Sequence, residues 1–199
     1  MIPVVVLAAG KSTRMGRPKA LLPLPASGTF IARIVRSFLV GGADDVIVVV
    51  GHDAEAIRLY LNETGLPVRS VVNEAYESGQ LSSVLAGLNA ADRPGVRAIL
   101  LTLVDVPLVA AATVSAVIDR YRATGAPIVR PVRGDEHGHP VLIDRSLFAA
   151  IRAADPAEGT KPIVRKHVSH AGDVPVADAG AFLDIDTPED YERVIGEKL

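Results

Sequence analysis

No cysteine occurs anywhere in the 199 residues, which removes disulfides, thiolate metal ligands and a cysteine nucleophile from consideration. Excess positive charge is also missing: 21 Lys and Arg against 23 Asp and Glu leave a net charge of −2. General polyanion binders carry a basic balance or a basic stripe, so nucleic acid is not an expected partner. No apolar run is long enough to span a bilayer. The run Ile2–Ala9 is followed rather than preceded by its positive charges, the wrong order for a secretory signal. The expectation is a cytoplasmic protein without membrane contact. Internal repeats and low-complexity tracts are absent as well, and 49% hydrophobic with 22% charged residues is a globular balance. No linker splits the chain convincingly, so residues 1–199 are expected to form one domain.

What is present is an alternation of short β-branched runs with longer amphipathic stretches. The runs are Ile2–Leu7, Asp45–Val50, Val68–Val72, Arg97–Leu103, Pro127–Pro131, Pro140–Ile143 and Asp173–Val176; helix-like segments cover Thr29–Val40, Ala54–Asn62, Leu81–Ala91 and Ala110–Ala123. Continuous Val/Ile/Leu runs indicate strands buried on both faces, and strand–helix alternation implies right-handed crossovers in a mostly parallel sheet. The fold class is therefore α/β, a three-layer α/β/α Rossmann-like arrangement. A closed eight-fold barrel needs about 250 residues. Arg133–Gly138 reads as a hairpin-like loop, and Ala153–Lys166, with two prolines and a glycine, as a mobile connection opening into a short helix.

The first run delivers the chain to Leu7-Ala8-Ala9-Gly10, small residues that let backbone amides approach a ligand. Lys11, Arg14, Arg17 and Lys19 then place four cations within nine residues without one acid. Such a loop past the carboxyl end of a strand suits a triphosphate, although a solvated basic turn has the same composition. The spacing excludes two familiar loops: Gly10 and Gly16 have five residues between them and Arg17 follows, unlike a P-loop, and no Gly-x-Gly-x-x-Gly dinucleotide pattern occurs.

Asp105, in Thr102-Leu103-Val104-Asp105-Val106-Pro107, directly follows a buried strand. A carboxylate there either caps the next turn or holds a cation. Asp184-Ile185-Asp186-Thr187-Pro188-Glu189-Asp190 offers a second acidic cluster. Helix-start chemistry explains Thr187, Glu189 and Asp190 but not Asp184 and Asp186, two apart on one face of an extended segment. Asn73–Val84 follows the third strand and opens a helix; Ser78 or Ser82 could cap it, Gly79 permits close approach, and the Gln80 amide could read a base edge. His137-Gly138-His139-Pro140 is weak evidence for a metal site, a loop-to-strand junction being the commoner reading. His52, His167 and His170 read as surface residues.

These motifs resemble, in order and spacing, the molybdopterin nucleotidyltransferase-like family, and most of all its molybdenum cofactor cytidylyltransferase branch. The resemblance implies that the loop from Leu7 through Lys19 wraps a nucleoside triphosphate, with Arg14 and Lys19 on the phosphates and Lys11 and Arg17 left as solvated rim. It implies that Asp105 is the principal Mg2+ ligand and Asp186 the second, consistent with hard oxygen donors. Asn73, Gly79 and Ser83 correspond to nucleobase and ribose contacts, and His139 to an acceptor contact. The implied reaction moves CMP from CTP to the terminal phosphate of molybdopterin, a phosphorylated small molecule, releasing pyrophosphate, and a molybdoenzyme or its chaperone is the implied protein partner. The segment Ala20–Thr29 departs from the family pattern. That keeps GTP with the same acceptor, or a sugar-1-phosphate with CTP or UTP, as alternatives. A non-catalytic nucleotide binder would have little need of two opposed carboxylates.

Overall fold

The computed structural model describes residues 1–197. In chain order the strands are β1 (Val4–Ala8), β2 (Pro23–Leu24), β3 (Gly28–Thr29), β4 (Val46–Val50), β5 (Arg69–Val72), β6 (Ala98–Leu103), β7 (Ile128–Arg133), β8 (Glu136–His137), β9 (Val141–Asp144) and β10 (Asp173–Pro175). The α-helices are α1 (Phe30–Val40), α2 (Ala54–Thr64), α3 (Gln80–Ala91), α4 (Ala111–Thr124), α5 (Phe148–Arg152), α6 (Lys161–His167) and α7 (Pro188–Ile195).

One sheet runs in the order β10-β7-β9-β6-β1-β4-β5, with β8 paired to β7, while β2 and β3 form a separate ribbon. Strands β1 and β4 are buried at every residue, because helices cover both faces. Along β1 the side chains alternate between layers: Val4 and Val6 join α1, α2 and α4, whereas Val5 and Leu7 join α3 and α5. Each fully buried aliphatic side chain contributes about 1.5–3 kcal/mol, so this double coverage is the main support of the central strands. A third, smaller cluster of Met15, Leu22, Leu24, Phe30, Ile185 and Tyr191 ties the first loop to α7.

All seven expected strands and four expected helices are present within two residues of their expected ends. Two features differ. Strand β5 is not buried on both faces: Arg69, Ser70 and Val72 are exposed, because β5 is the sheet edge, with Arg69 anchored to Asp45 at 2.6 Å. One strand of the main path also departs from the crossover pattern: β9 runs antiparallel to both β6 and β7, so β7 keeps the direction of β6, and β10 pairs parallel to β7. The sheet remains mostly parallel around β1, where β4, β5 and β6 all point the same way. The stretch 153–166 holds a turn and most of α6.

Candidate active site

Parallel strands bring their carboxyl ends to one edge, and here short backbone bonds hold those ends together. The Val104 amide donates to the Leu7 carbonyl at 3.1 Å, His52 to Ala9 at 3.1 Å, and Asn73 to Val50 at 2.7 Å. Gly51 makes the closest join possible, because a Cβ there would lie 2.7 Å from Tyr76 Cβ and 2.9 Å from Ala9 Cβ. Beyond this edge opens a cleft of about 390 Å3, lined by Leu7, Ala9, Gly10, Arg14, Lys19, Gly79, Gln80, Ser83, Asp105 and Asp186, among others. Ala8, Asn73 and His139 are not in that lining: Ala8 faces the core.

The opening loop winds around Ser12, a residue the sequence reading passed over. The Ser12 carbonyl accepts from the amides of Met15 (2.9 Å) and Gly16 (3.1 Å), and its hydroxyl accepts from the Lys19 amide at 3.2 Å. Met15 is buried against the third cluster, so it anchors the loop while the neighbouring cations face outward. Lys11 and Arg17 are exposed, and Lys11 pairs with Glu77 across the rim at 2.5 Å.

The two acidic segments meet opposite the loop. The Ile185 amide donates to the Asp105 carbonyl at 2.8 Å, and the Ile185 side chain is fully buried, so Asp184 and Asp186 flank it on the other face. A capping box of Thr187 and Asp190 starts α7, and Asp190 also accepts from the Asp186 amide at 3.2 Å. Helix-start chemistry therefore holds Asp186 in place. Lys19 Nζ contacts Asp186 Oδ1 and lies 3.4 Å from Asp105 Oδ2, while Arg14 donates to Asp186 Oδ2 at 2.8 Å. The Lys19 hydrogen bond holds the Asp186 carboxyl below the usual range against the effect of burial. Partial burial, and then the Asp105 charge, push Asp184 up.

Asp105 Oδ1 is buried and has no hydrogen-bond partner. An orphaned carboxylate oxygen is costly unless it faces a cation. With an all-oxygen donor set, Asp105 and Asp186 fit a hard divalent ion such as magnesium. Among the described residues no cluster of three or more His, Asp or Glu side chains is placed to hold a metal, so further ligands would come from phosphate and water.

Asn73 donates to the Ser82 and Ser83 hydroxyls at 2.8 and 2.9 Å and accepts from the Ala75 amide at 3.0 Å. It braces the start of α3. Neither Ser78 nor Ser82 caps that helix: their hydroxyls donate to carbonyls of Ala75 and Gly79. Gly79, at φ 109° and ψ 169°, occupies a glycine region and provides no side-chain cap, leaving the positive end of α3 at the cleft. His139 is half-buried, with Nδ1 3.4 Å from the Leu101 carbonyl. Burial pushes its pKa down, opposed by that carbonyl and by the charges of Asp184 and Asp105. His137 is exposed on β8.

The sequence matches the MobA-like NTP transferase domain over residues 4–171. It is 33% identical over 199 residues to nicotine blue oxidoreductase of Paenarthrobacter nicotinovorans, covering 96% of this chain and 95% of that one. Among solved structures, Rv0371c from Mycobacterium tuberculosis H37Rv is similar with TM-score 0.82 and 32% identity over 98% of each chain. A structure of Rv0371c in complex with manganese is similar at TM-score 0.75 and 31% identity, again over 98% of each chain. A nucleotidyl transferase from Methanothermobacter thermautotroptrophicus gives TM-score 0.78 and 27% identity, over 98% of this chain and 96% of that one. This chain belongs to the MobA-like NTP transferase family and is an enzyme of the nucleotidyltransferase class.

Proposed function

We propose that this member of the MobA-like NTP transferase family transfers CMP from CTP to the terminal phosphate of the molybdopterin cofactor, releasing pyrophosphate. The observation that carries nucleotidyl transfer is the meeting of Lys19 with Asp105 and Asp186 in the same cleft as the opening loop. In this reading the cations at this edge bind phosphate and the acids beside them hold a metal.

In the proposed reaction an acceptor phosphate oxygen forms a bond to the α-phosphorus of CTP. The bond from that phosphorus to the bridging oxygen breaks in line, and the electron pair leaves on pyrophosphate. No covalent enzyme intermediate is needed, so the protein works by positioning and charge neutralisation. Asp105 and Asp186 would hold the Mg2+ ion, which would neutralise charge on the triphosphate. Arg14 and Lys19 stabilise charge on the α-phosphate and the departing pyrophosphate. Amides of Ala9 and Gly10 cradle phosphate oxygens, those of Leu7 and Ala8 lying within β1 between β4 and β6, and Gly79 and Ser83, braced by Asn73, lie on the nucleoside side. His139 is the proposed acceptor contact, and a molybdoenzyme or its chaperone is the proposed recipient.

The choice of CTP and molybdopterin rests on motif resemblance. A second reading keeps the chemistry and changes the partners, to GTP with the same acceptor or to a sugar-1-phosphate with CTP or UTP; the divergent Ala20–Thr29 segment supports it. Pyrophosphate release is measured with CTP, GTP, UTP and ATP, each with Mg2+ and with molybdopterin or sugar phosphates. Turnover with CTP and molybdopterin is expected. Turnover with sugar phosphates alone overturns the acceptor, and redox turnover without pyrophosphate from any triphosphate overturns nucleotidyl transfer itself.

A further inference from the structure

Lys19 has a position unlike that of the other cations of its loop. Its side chain is only 9% exposed, against 66% for Arg14 and 49% for Lys11. The ammonium contacts Asp186 Oδ1 and reaches Asp105 Oδ2 at 3.4 Å, while Arg14 takes Asp186 Oδ2 at 2.8 Å. Three of the four oxygens of this acid pair therefore face a cation of the protein itself. Two carboxylates and two cations sum to zero charge. A divalent ion arriving alone meets occupied oxygens and adds its charge to two cations already in place, one of them shielded from water. A nucleoside triphosphate alters that balance, because its phosphates offer Lys19 and Arg14 other anionic partners and release the carboxylates.

We propose that Lys19, assisted by Arg14, is a built-in counter-ion that keeps Asp105 and Asp186 from binding metal until a triphosphate arrives, so that metal and nucleotide enter together. The inference rests on the reading of those two acids as the metal pair. It gives Lys19 two successive partners, carboxylates before nucleotide binds and phosphates afterwards.

Mn2+ binding to the nucleotide-free protein, followed by the loss of free-ion signal in electron paramagnetic resonance, tests this without any turnover. Lys19→Met keeps the length and removes the charge, and is expected to bind Mn2+ more tightly than wild type by on the order of 10- to 100-fold. Arg14→Gln, at an exposed position, is expected to give a smaller gain and carries the test if the Lys19 variant does not fold by circular dichroism. Equal Mn2+ affinity in wild type and in every folded variant overturns the counter-ion role. Mn2+ binding that survives Asp105→Ala combined with Asp186→Ala overturns the metal pair instead, so the two failures are distinguishable.

Discussion

The backbone amide of Ile185 donates to the carbonyl of Asp105 across 2.8 Å. This bond joins a turn after β6 to the approach of α7 and sets two acidic segments side by side. Because Ile185 is fully buried, Ile185→Ala is expected to cost about 2–5 kcal/mol and to lower kcat through displacement of Asp186. Ile185→Val is expected to cost about 0.5–1.5 kcal/mol with activity retained. Urea unfolding and pyrophosphate release measure the two effects; full activity in a destabilised Ile185→Ala protein would separate this residue from the site.

Asp105 already lacks a partner at Oδ1, and Lys19 keeps its contact with Asp186 whatever happens at position 105. Asp105→Asn is therefore expected to leave the melting temperature unchanged or higher while pyrophosphate release falls on the order of 100- to 1000-fold. Equal turnover in mutant and wild type would remove Asp105 from the mechanism.

Two glycines at the cleft should respond differently to alanine. A Cβ at Gly51 would meet Tyr76 and Ala9 within 3 Å, whereas a Cβ at Gly10 meets nothing within 4 Å. Gly51→Ala is expected to cost about 1–3 kcal/mol. Gly10→Ala is expected to stay within about 0.5 kcal/mol of wild type yet raise KM for the triphosphate, because the new methyl would stand in the proposed phosphate cradle. Thermal melts beside a KM series test the pair, and unchanged KM in Gly10→Ala counts against the cradle.

Tyr121 on α4 donates to Asp144 at the end of β9 at 2.5 Å. Burial, and then that bond, push the tyrosine up to about 12. Burial raises Asp144, but the bonds from Tyr121 and Ser146 outweigh it and leave the carboxyl below its ordinary value of 3.8. The raised tyrosine contributes stability that is complete below pH 10 and lost as pH climbs toward about 12. The depressed carboxyl contributes stability present above its ordinary value and lost as pH falls through its folded one. Tyr121→Phe is expected to cost about 1.5–3 kcal/mol near neutrality and to flatten both arms of the stability profile. Guanidine unfolding across pH reads this directly, and unchanged arms would count against the pair.

Strands and helices were legible because their signals are local. Val4–Ala8 and Val46–Val50 are apolar at every position, as strands buried on both faces require, and Gly125 closes α4 in the left-handed conformation. The exposure of β5 had a signal that grouping it with the apolar runs ignored, since Arg69 and Ser70 interrupt Val68–Val72; its place at the sheet edge depends on which strand fails to pair beside it. Within the site, the cationic loop and both acidic motifs stood out by composition. Ser12 did not, because its carbonyl and hydroxyl organise the loop through backbone bonds that any small polar residue could be read as making.

Periodicity and motif spacing act over a few residues, so the layered fold and the kinds of chemical group available can be read from them alone. Which groups meet depends on tertiary packing. That Asn73 braces α3, that Ile185 pairs with Asp105, and that Lys19 sits between Asp105 and Asp186 depend on how distant segments cross the sheet edge. Such contacts follow from the packing of the three hydrophobic clusters, which no local pattern encodes.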